Sequence, residues 1–202
     1  MNQIDQRPFI VCQREWAMTG RDCETHDLVT ELVAKCVAMI IHSSDFKVAA
    51  LAHMDASINQ KDVDQMITHI QAAAPSERKW TVIFIGGQTV ENRTNRFVRG
   101  LIEEWQKNPD WTLDTRSFAK EDTIFTVSVD ALKGTYCIKD MVQIALRMLE
   151  VGFRMGCSLN SAETTAAEAV IKKEDELDLP WYRRKQFTLA KDFCSISPKV
   201  NV

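Results

Sequence analysis

The alternation of apolar and polar residues divides the first 140 residues of the chain into short strands and two helices. Trp80–Ile85 is the clearest strand, and its nearly continuous apolar sequence predicts that both of its faces are covered. In Thr123–Val129, every second residue from Phe125 onward is large and apolar, which predicts a strand with one buried face.

The remaining strand signals are weaker, and they lie at Phe9–Gln13, Trp16–Met18, Val37–Ile41, Lys47–Met54, Trp111–Phe118 and Tyr136–Ile138. Gly20–Asp27 is polar and is predicted to be a loop. The sequence Ser43-Ser44-Asp45 has turn chemistry, so Val37–Ile41 and Lys47–Met54 are predicted to form an antiparallel hairpin around it.

Helices are predicted where apolar residues recur on one face. The first follows the hairpin, with Asp55 or Ser57 as its N-cap, and it ends at Pro75. The second covers Thr94–Lys107 and ends before Asn108-Pro109. Further along, the pattern predicts helices at Met141–Phe153 and Ser161–Glu176 and a mostly extended or irregular chain from Pro180 onward.

This order of strands and helices predicts the fold class. Strands interleave with helices and several strands are expected to be antiparallel, which favours an α/β (α+β) layered sandwich with a mixed or largely antiparallel sheet. Residues 1–156 are predicted to form one domain, with residues 157–202 as a C-terminal extension packed on it.

The charge and hydropathy of the chain argue against two classes of binding partner. The net charge is −3, and no basic run is longer than Arg183–Lys185, so no nucleic-acid partner is expected. The apolar runs are too short to span a bilayer, so no membrane partner is expected either. The first residues lack the basic start and apolar stretch of a signal peptide, which predicts a cytoplasmic protein. Secretion by a signal-less route is equally compatible with this sequence, and the target would then be a host protein.

Six scattered cysteines, with no CxxC pair, predict reduced thiols in this context. The four histidines form neither HxH nor HExxH, so we expect no metal and no cofactor. Five cysteines (12, 23, 137, 157 and 194) are interpreted as structural, and His26, His42 and His69 as surface or loop residues.

Cys36 and His53 are the candidate chemical pair. They lie on the two arms of the predicted hairpin, which can bring their side chains together. A thiolate is a nucleophile, and a nearby imidazole lowers the thiol pKa and can protonate a leaving amine. The alternative is that Cys36 is a small buried hydrophobe and His53 a hydrogen-bonded core residue.

Several segments resemble the protein N-terminal asparagine amidohydrolase family. Ile10–Thr19 is similar to the stretch that precedes its active site. Cys36 opens an apolar strand, and His53-Met54-Asp55 closes the next, as in that family. Ile83–Gly87 resembles its strand ending in two glycines, and Phe125–Ile138 its later hairpin.

The same layout resembles the chemoreceptor glutamine deamidases (CheD), in which a threonine six residues before the cysteine completes the site. Thr30 has that spacing here. This chain has Ala34-Lys35 where CheD has Gly-Ser, so the loop that would form the oxyanion site differs. The resemblance implies a CheD-like deamidase fold.

The two resemblances together imply a cysteine-dependent amidohydrolase that acts on a protein or peptide and releases ammonia. Cys36 would be the nucleophile, and His53 the base and acid. Thr30 would orient His53 or the substrate amide, and backbone N–H groups near Cys36 would hold the oxyanion. The alternative for Thr30 is an ordinary strand or loop threonine.

Three further residues are candidates for substrate binding. Asp55 could position His53 or bind a free α-amino group, or it could simply cap the following helix. Gly86 and Gly87 could admit a substrate backbone, or they could form a plain turn.

The resemblance at Gln13-Arg14-Glu15 favours an N-terminal asparagine of a protein as the substrate, and the alternative is an internal glutamine of a target protein. A hypothesis of another class is a catalytically inactive binding module, in which Ile83–Arg96 cradles an anion at a helix N-terminus.

Overall fold

A computed structural model of the chain describes residues 8–20, 23, 25–88, 92–120, 123–140 and 188–189. The strands are β1 (Phe9–Ile10), β2 (Glu15–Thr19), β3 (Asp27–Val33), β4 (Val37–Ser43), β5 (Ala49–Met54), β6 (Trp80–Gly86), β7 (Trp111–Phe118), β8 (Phe125–Asp130), β9 (Thr135–Asp140) and β10 (Thr188–Leu189). The helices are α1 (Gln60–Ala73) and α2 (Arg93–Trp105). Neither helix of this described part is both long enough and apolar enough to cross a bilayer.

The strands form two sheets with mixed strand directions. The six-stranded sheet has the order β10-β2-β5-β4-β6-β7, and the four-stranded sheet has the order β1-β3-β8-β9. In the first sheet, β4 pairs antiparallel with β5 and β6, while β6 and β7 are parallel. The predicted α/β layered sandwich with a mixed sheet is therefore confirmed.

The six-stranded sheet has two covered faces, because its central strands are apolar at nearly every position. On one face, Met39 and Phe84 pack with Met66 of α1 and Leu101 of α2. The other face forms a second core against the four-stranded sheet, with members that include Ala38, Ile40, Leu51, Ile85 and Val127. The molecule is thus layered as helices, six-stranded sheet and four-stranded sheet, and the candidate site residues Thr30 and His53 meet between the two sheets.

Most predicted elements are present, with shifted ends. The hairpin is confirmed as β4 and β5, Trp80–Ile85 as the doubly covered β6, and Trp111–Phe118 as β7. The strand predicted at Phe9–Gln13 is wrong after Ile10, because the chain turns there: the backbone N–H of Glu15 donates to the carbonyl of Cys12. This turn carries the chain from the four-stranded sheet into the six-stranded one.

The predicted N-cap of the first helix is also wrong. Asn59 caps α1, and its side chain accepts a hydrogen bond from the backbone N–H of Asp62. The side chain of Asp55 instead accepts hydrogen bonds from Ser57 and Arg14.

His42 is not a surface residue as predicted. It is buried on β4, and its ring stacks on Phe46 with the ring centroids 3.9 Å apart.

Strand β3 was not predicted, and it contains a β-bulge. Thr30 pairs with Val127 and Val33 with Phe125, so β3 has one residue more than β8 in this interval. The extra residue lets both Thr30 and Val33 face the interior, while the two residues between them lie exposed. Thr30 continues the alternation that begins with Leu28 and faces the interior, and the bulge brings Val33 back to the same face.

The predicted helices at Met141–Phe153 and Ser161–Glu176 lie outside the described residues, as does the division at residue 156, so the predicted domain boundary stays a prediction. Of the stretch from Pro180 onward, Thr188–Leu189 is described, and it forms the two-residue strand that pairs with β2.

Candidate active site

Cys36 ends a three-residue loop, residues 34–36, between β3 and β4. Its side chain is buried, whereas Cys12 and Cys137 are exposed. Two backbone hydrogen bonds tie this loop to the end of β6: the N–H of Gly87 donates to the carbonyl of Cys36 at 2.8 Å, and the N–H of Gln88 donates to the carbonyl of Ala34 at 3.2 Å. The nucleophile candidate is therefore held on a fixed backbone.

The two glycines after β6 are packed against this loop. Gly86 has φ +90°, and a Cβ there would lie 2.6 Å from the carbonyl oxygen of Cys36. Gly87 has φ +63°, and a Cβ there would lie 2.5 Å from Oδ1 of Asn95. Both the left-handed backbone and the lack of space require glycine. Their contacts are with the cysteine loop and α2, and a role in binding substrate stays a prediction.

His53 lies on β5, directly opposite Ala38 of β4. Directly paired residues of antiparallel strands point to the same face, and here that is the face toward the four-stranded sheet. Cys36 comes two residues before Ala38, at the same end of the hairpin. The hairpin thus brings Cys36 and His53 to one end of the inter-sheet layer.

Thr30 contacts His53 across the two sheets. Its Oγ1 lies 2.8 Å from Nδ1 of His53 and donates to the carbonyl oxygen of Val11, also at 2.8 Å. A hydroxyl has one proton, and a carbonyl can only accept, so the Thr30 proton is used on Val11. The Nδ1 of His53 must then carry its own proton and donate it to Thr30, which leaves the lone pair of the neutral imidazole on Nε2.

Burial lowers the pKa of His53 from its ordinary value to about 4, and the negative charge of Asp55 opposes this shift only in part. Removing an imidazole from water disfavours its charged form. His53 is therefore neutral near pH 7, with Nε2 able to accept a proton.

The lowered pKa of His53 predicts a loss of stability in acid. The unfolded chain binds a proton at this residue below about pH 6.5, whereas the folded chain does so only near pH 4. The contribution of neutral His53 to the free energy of unfolding is fully present above the unfolded pKa. About 3 kcal/mol of it is lost as the pH falls from there through the folded pKa. Urea unfolding at pH 7 and pH 4.5 measures how much the free energy of unfolding decreases in acid, which we call the acid loss. The acid loss should be smaller for His53→Asn than for the wild type.

Replacement of an exposed histidine on α1, His69→Asn, is the control for this experiment, and its acid loss should match that of the wild type. Equal acid losses for His53→Asn and His69→Asn would contradict a buried neutral His53.

The turn between β1 and β2 lies over this end of β5. Arg14 has φ +68°, and its backbone N–H donates to the carbonyl of His53 at 2.9 Å. Its Nε donates to Oδ2 of Asp55 at 2.5 Å, and both side chains are almost fully buried. The neighbouring Gln13 donates through Nε2 to Oδ2 of Asp55 at 3.3 Å and contacts Sγ of Cys36 at 3.4 Å. This turn therefore connects directly to the candidate nucleophile.

Gln13, Arg14, Thr30, Cys36, His53 and Asp55 together form one corner of the molecule. Asp55 is the hydrogen-bond acceptor that holds this corner together. Burial raises its pKa, but hydrogen bonds from Ser57 and Arg14 and the charge of Arg14 outweigh burial, so the pKa lies below its ordinary value. Asp55 is thus ionised, and its oxygens accept from Arg14, Gln13 and Ser57. Its predicted role in binding a substrate α-amino group stays a prediction.

Two further features of the described ranges were compared with this site. They contain no group of three or more His, Cys, Asp or Glu side chains that could hold a metal ion. A groove of about 490 Å³ lies on the outer face of the four-stranded sheet, where Asp27, Glu31 and Lys139 line it. Neither Cys36 nor His53 lines this groove.

Comparison with known families shows which family the chain belongs to. The family model described as protein N-terminal asparagine amidohydrolase matches residues 2–126 of the 202. The chain belongs to this family. No curated protein matches it.

The matched range of the asparagine amidohydrolase family contains every residue of the corner described above. Sequence reasoning proposed Cys36, His53 and Thr30, and the fold brings Thr30 into contact with His53. It gave no role to Gln13 or Arg14, although both lie in Ile10–Thr19, the segment that carries the family resemblance. A buried arginine would have been a signal, but burial at that position depends on a turn that the pattern did not predict.

Proposed function

We propose that this protein uses Cys36 and His53 to hydrolyse the side-chain amide of an asparagine at the N-terminus of a protein. Family membership supports amidohydrolase activity on protein substrates. The identity of the nucleophile and the choice of asparagine are our proposal, and the geometry of the corner supports both Cys36 and His53.

The contact between Thr30 and His53 carries the proposal. A neutral histidine can act as a general base only if one ring nitrogen is left unprotonated. Here a threonine whose proton is already donated to Val11 fixes the Nδ1–H form and leaves the basic Nε2 available. A general base with a fixed tautomer, at the same end of one hairpin as a buried cysteine, supports thiol-dependent acyl transfer, in which the base takes the proton of the thiol.

The first half of the reaction forms a thioester. Nε2 of His53 takes the proton of the Cys36 thiol as the sulfur attacks the amide carbon, and the carbonyl oxygen becomes an oxyanion. The His53 imidazolium then gives its proton to the amide nitrogen, the carbon–nitrogen bond breaks, and ammonia leaves. The charge of Asp55 favours the transient imidazolium, in the direction of its effect on the pKa of His53.

The second half restores the enzyme. Water attacks the thioester while Nε2 of His53 accepts one of its protons, and the carbon–sulfur bond breaks as that proton returns to the sulfur. The amide and water are thus converted into a carboxylic acid and ammonia, and no oxidant or reductant is consumed. The backbone N–H groups near Cys36 are the expected oxyanion donors.

A panel of peptides tests the proposed substrate. Peptides that begin with asparagine, N-acetyl-asparagine or glutamine, and a protein with an internal accessible glutamine, would be incubated with the enzyme and monitored for ammonia release and for the mass increase of amide-to-acid conversion. We expect conversion of the free N-terminal asparagine and little conversion of its acetylated form.

Equal conversion of the acetylated and free peptides, or a preference for the internal glutamine, would favour a glutamine deamidase. Absence of all conversion, with Cys36 alkylated by iodoacetamide no faster than Cys12, would favour the inactive binding module.

A further inference from the structure

We propose that the side-chain amide of Gln13 is an oxyanion donor in the reaction. This inference rests on the proposed function, because it assigns a role in the same acyl transfer. Gln13 comes from the turn between β1 and β2, and it is separated from the cysteine loop by the whole of β2 and β3 in the sequence. Its Nε2 nevertheless contacts Sγ of Cys36.

The distance to the sulfur suits this role. Nε2 of Gln13 lies 3.4 Å from Sγ of Cys36. In a near-attack geometry, the carbonyl carbon of the substrate lies about 3–3.5 Å from the same sulfur. The oxygen of that carbonyl is one bond further, so an N–H group beside the sulfur is within reach of the position where negative charge develops.

The orientation of the amide is fixed by an ionised carboxylate. Asp55 has a lowered pKa and can only accept hydrogen bonds, so its contact with Gln13 requires the nitrogen of the amide rather than the oxygen. An amide nitrogen carries two N–H bonds. With one donated to Asp55, the other is directed at the sulfur of Cys36.

The carboxylate is in turn held in place. Oδ2 of Asp55 accepts from Nε of Arg14 at 2.5 Å, while Oδ1 accepts from the hydroxyl and the backbone N–H of Ser57. Arg14 therefore contacts Asp55, Asp55 contacts Gln13, and Gln13 contacts the candidate nucleophile Cys36. A donor that buried charges hold in place has little freedom left to lose when the oxyanion forms, which favours electrostatic stabilisation.

An N–H group beside a sulfur could act instead by stabilising the thiolate before attack. The two roles differ in a measurable way. Alkylation by iodoacetamide consumes the thiolate but creates no oxyanion, whereas amide hydrolysis needs both. A donor to the oxyanion changes hydrolysis alone, and a donor to the thiolate changes both rates together.

The test compares Gln13→Met, which keeps the length of the side chain and removes its N–H groups, with the wild type and with Gln106→Met, a replacement at the exposed end of α2. Hydrolysis of a peptide with a free N-terminal asparagine and the alkylation rate of Cys36, followed by mass spectrometry of its tryptic peptide, would be measured for each. We expect kcat/KM to fall about 100- to 1,000-fold in Gln13→Met, with an unchanged alkylation rate. Gln106→Met should resemble the wild type in both measurements.

Gln13→Ala provides a second variant if Gln13→Met does not fold. Retained hydrolysis in the folded Gln13 variant, while Cys36→Ser is inactive, would overturn this inference and leave the proposed function intact. A parallel fall of hydrolysis and alkylation would overturn it in favour of thiolate stabilisation. A wild type that shows no hydrolysis dependent on Cys36 would reject the proposed function and this inference together.

Discussion

Cys36→Ser is expected to lower the release of ammonia from a peptide with an N-terminal asparagine by at least about 10⁴-fold, because a serine hydroxyl in this site is a far weaker nucleophile than a thiol. The substitution changes a single atom, so the melting temperature should stay within a few degrees of the wild type. His53→Ala should lose a similar share of activity, since removal of either member of a nucleophile–base pair disables the same step.

Cys137→Ser is the matched control for this prediction. Cys137 is exposed on β9, and the same substitution there should leave ammonia release unchanged. Substantial activity in Cys36→Ser would contradict the assignment of the nucleophile. Unfolding of both Cys36→Ser and His53→Ala would instead identify the two residues as parts of the core.

Arg14→Met is expected to lower the free energy of unfolding by about 3–5 kcal/mol, which is the largest effect on stability that we predict. Arg14 and Asp55 form an ion pair with side chains 6% and 5% exposed. Removing the arginine leaves a buried carboxylate without its cation, while Ser57 and Gln13 supply only part of the compensation. Chemical denaturation of the variant and the wild type at pH 7 measures the difference.

A second Arg–Asp ion pair in the same protein is exposed, so it serves as a control for the effect of burial. Arg116 and Asp114 approach to the same 2.5 Å, but the arginine side chain is 83% exposed. Ion pairs in water contribute little because solvent screens them and the side chains lose freedom. The free energy of unfolding of Arg116→Met should therefore be close to that of the wild type. Equal decreases in Arg14→Met and Arg116→Met would show that the buried ion pair contributes no more to stability than the exposed one.

The regular strands could be predicted from the sequence because their side chains report burial directly. The nearly continuous apolar run of β6 indicated cover on both faces, and the alternation in β8 indicated cover on one. The turn chemistry of Ser43-Ser44-Asp45 was sufficient to define the hairpin that carries His53. In these cases, local pattern and tertiary structure agree.

The elements that were missed depend on contacts between distant residues. Strand β3 contains a bulge, which breaks the period of two and leaves two successive residues exposed. Asp55 resembles an N-cap in sequence, but its partner Arg14 is 41 residues away. No local pattern marks Gln13, and its contacts with Asp55 and Cys36 arise only because the turn places it beside them.

The candidate site residues were predicted from a different kind of signal than the strands. The combination of Cys36, His53 and Thr30 came from a family resemblance, which records spacing along the chain rather than periodicity. Spacing could not give the tautomer of His53, since this depends on the carbonyl of Val11 accepting the proton of Thr30. It also could not give the lowered pKa of His53, which follows from burial between the sheets.

Acid quenching of the wild-type enzyme in the first turnovers with an N-terminal asparagine peptide, followed by mass spectrometry of the intact and digested protein, tests whether Cys36 forms the proposed thioester. We expect a covalent adduct with the mass of the peptide less ammonia, located on Cys36. Turnover without such an adduct, or with the adduct on another cysteine, would contradict this proposal.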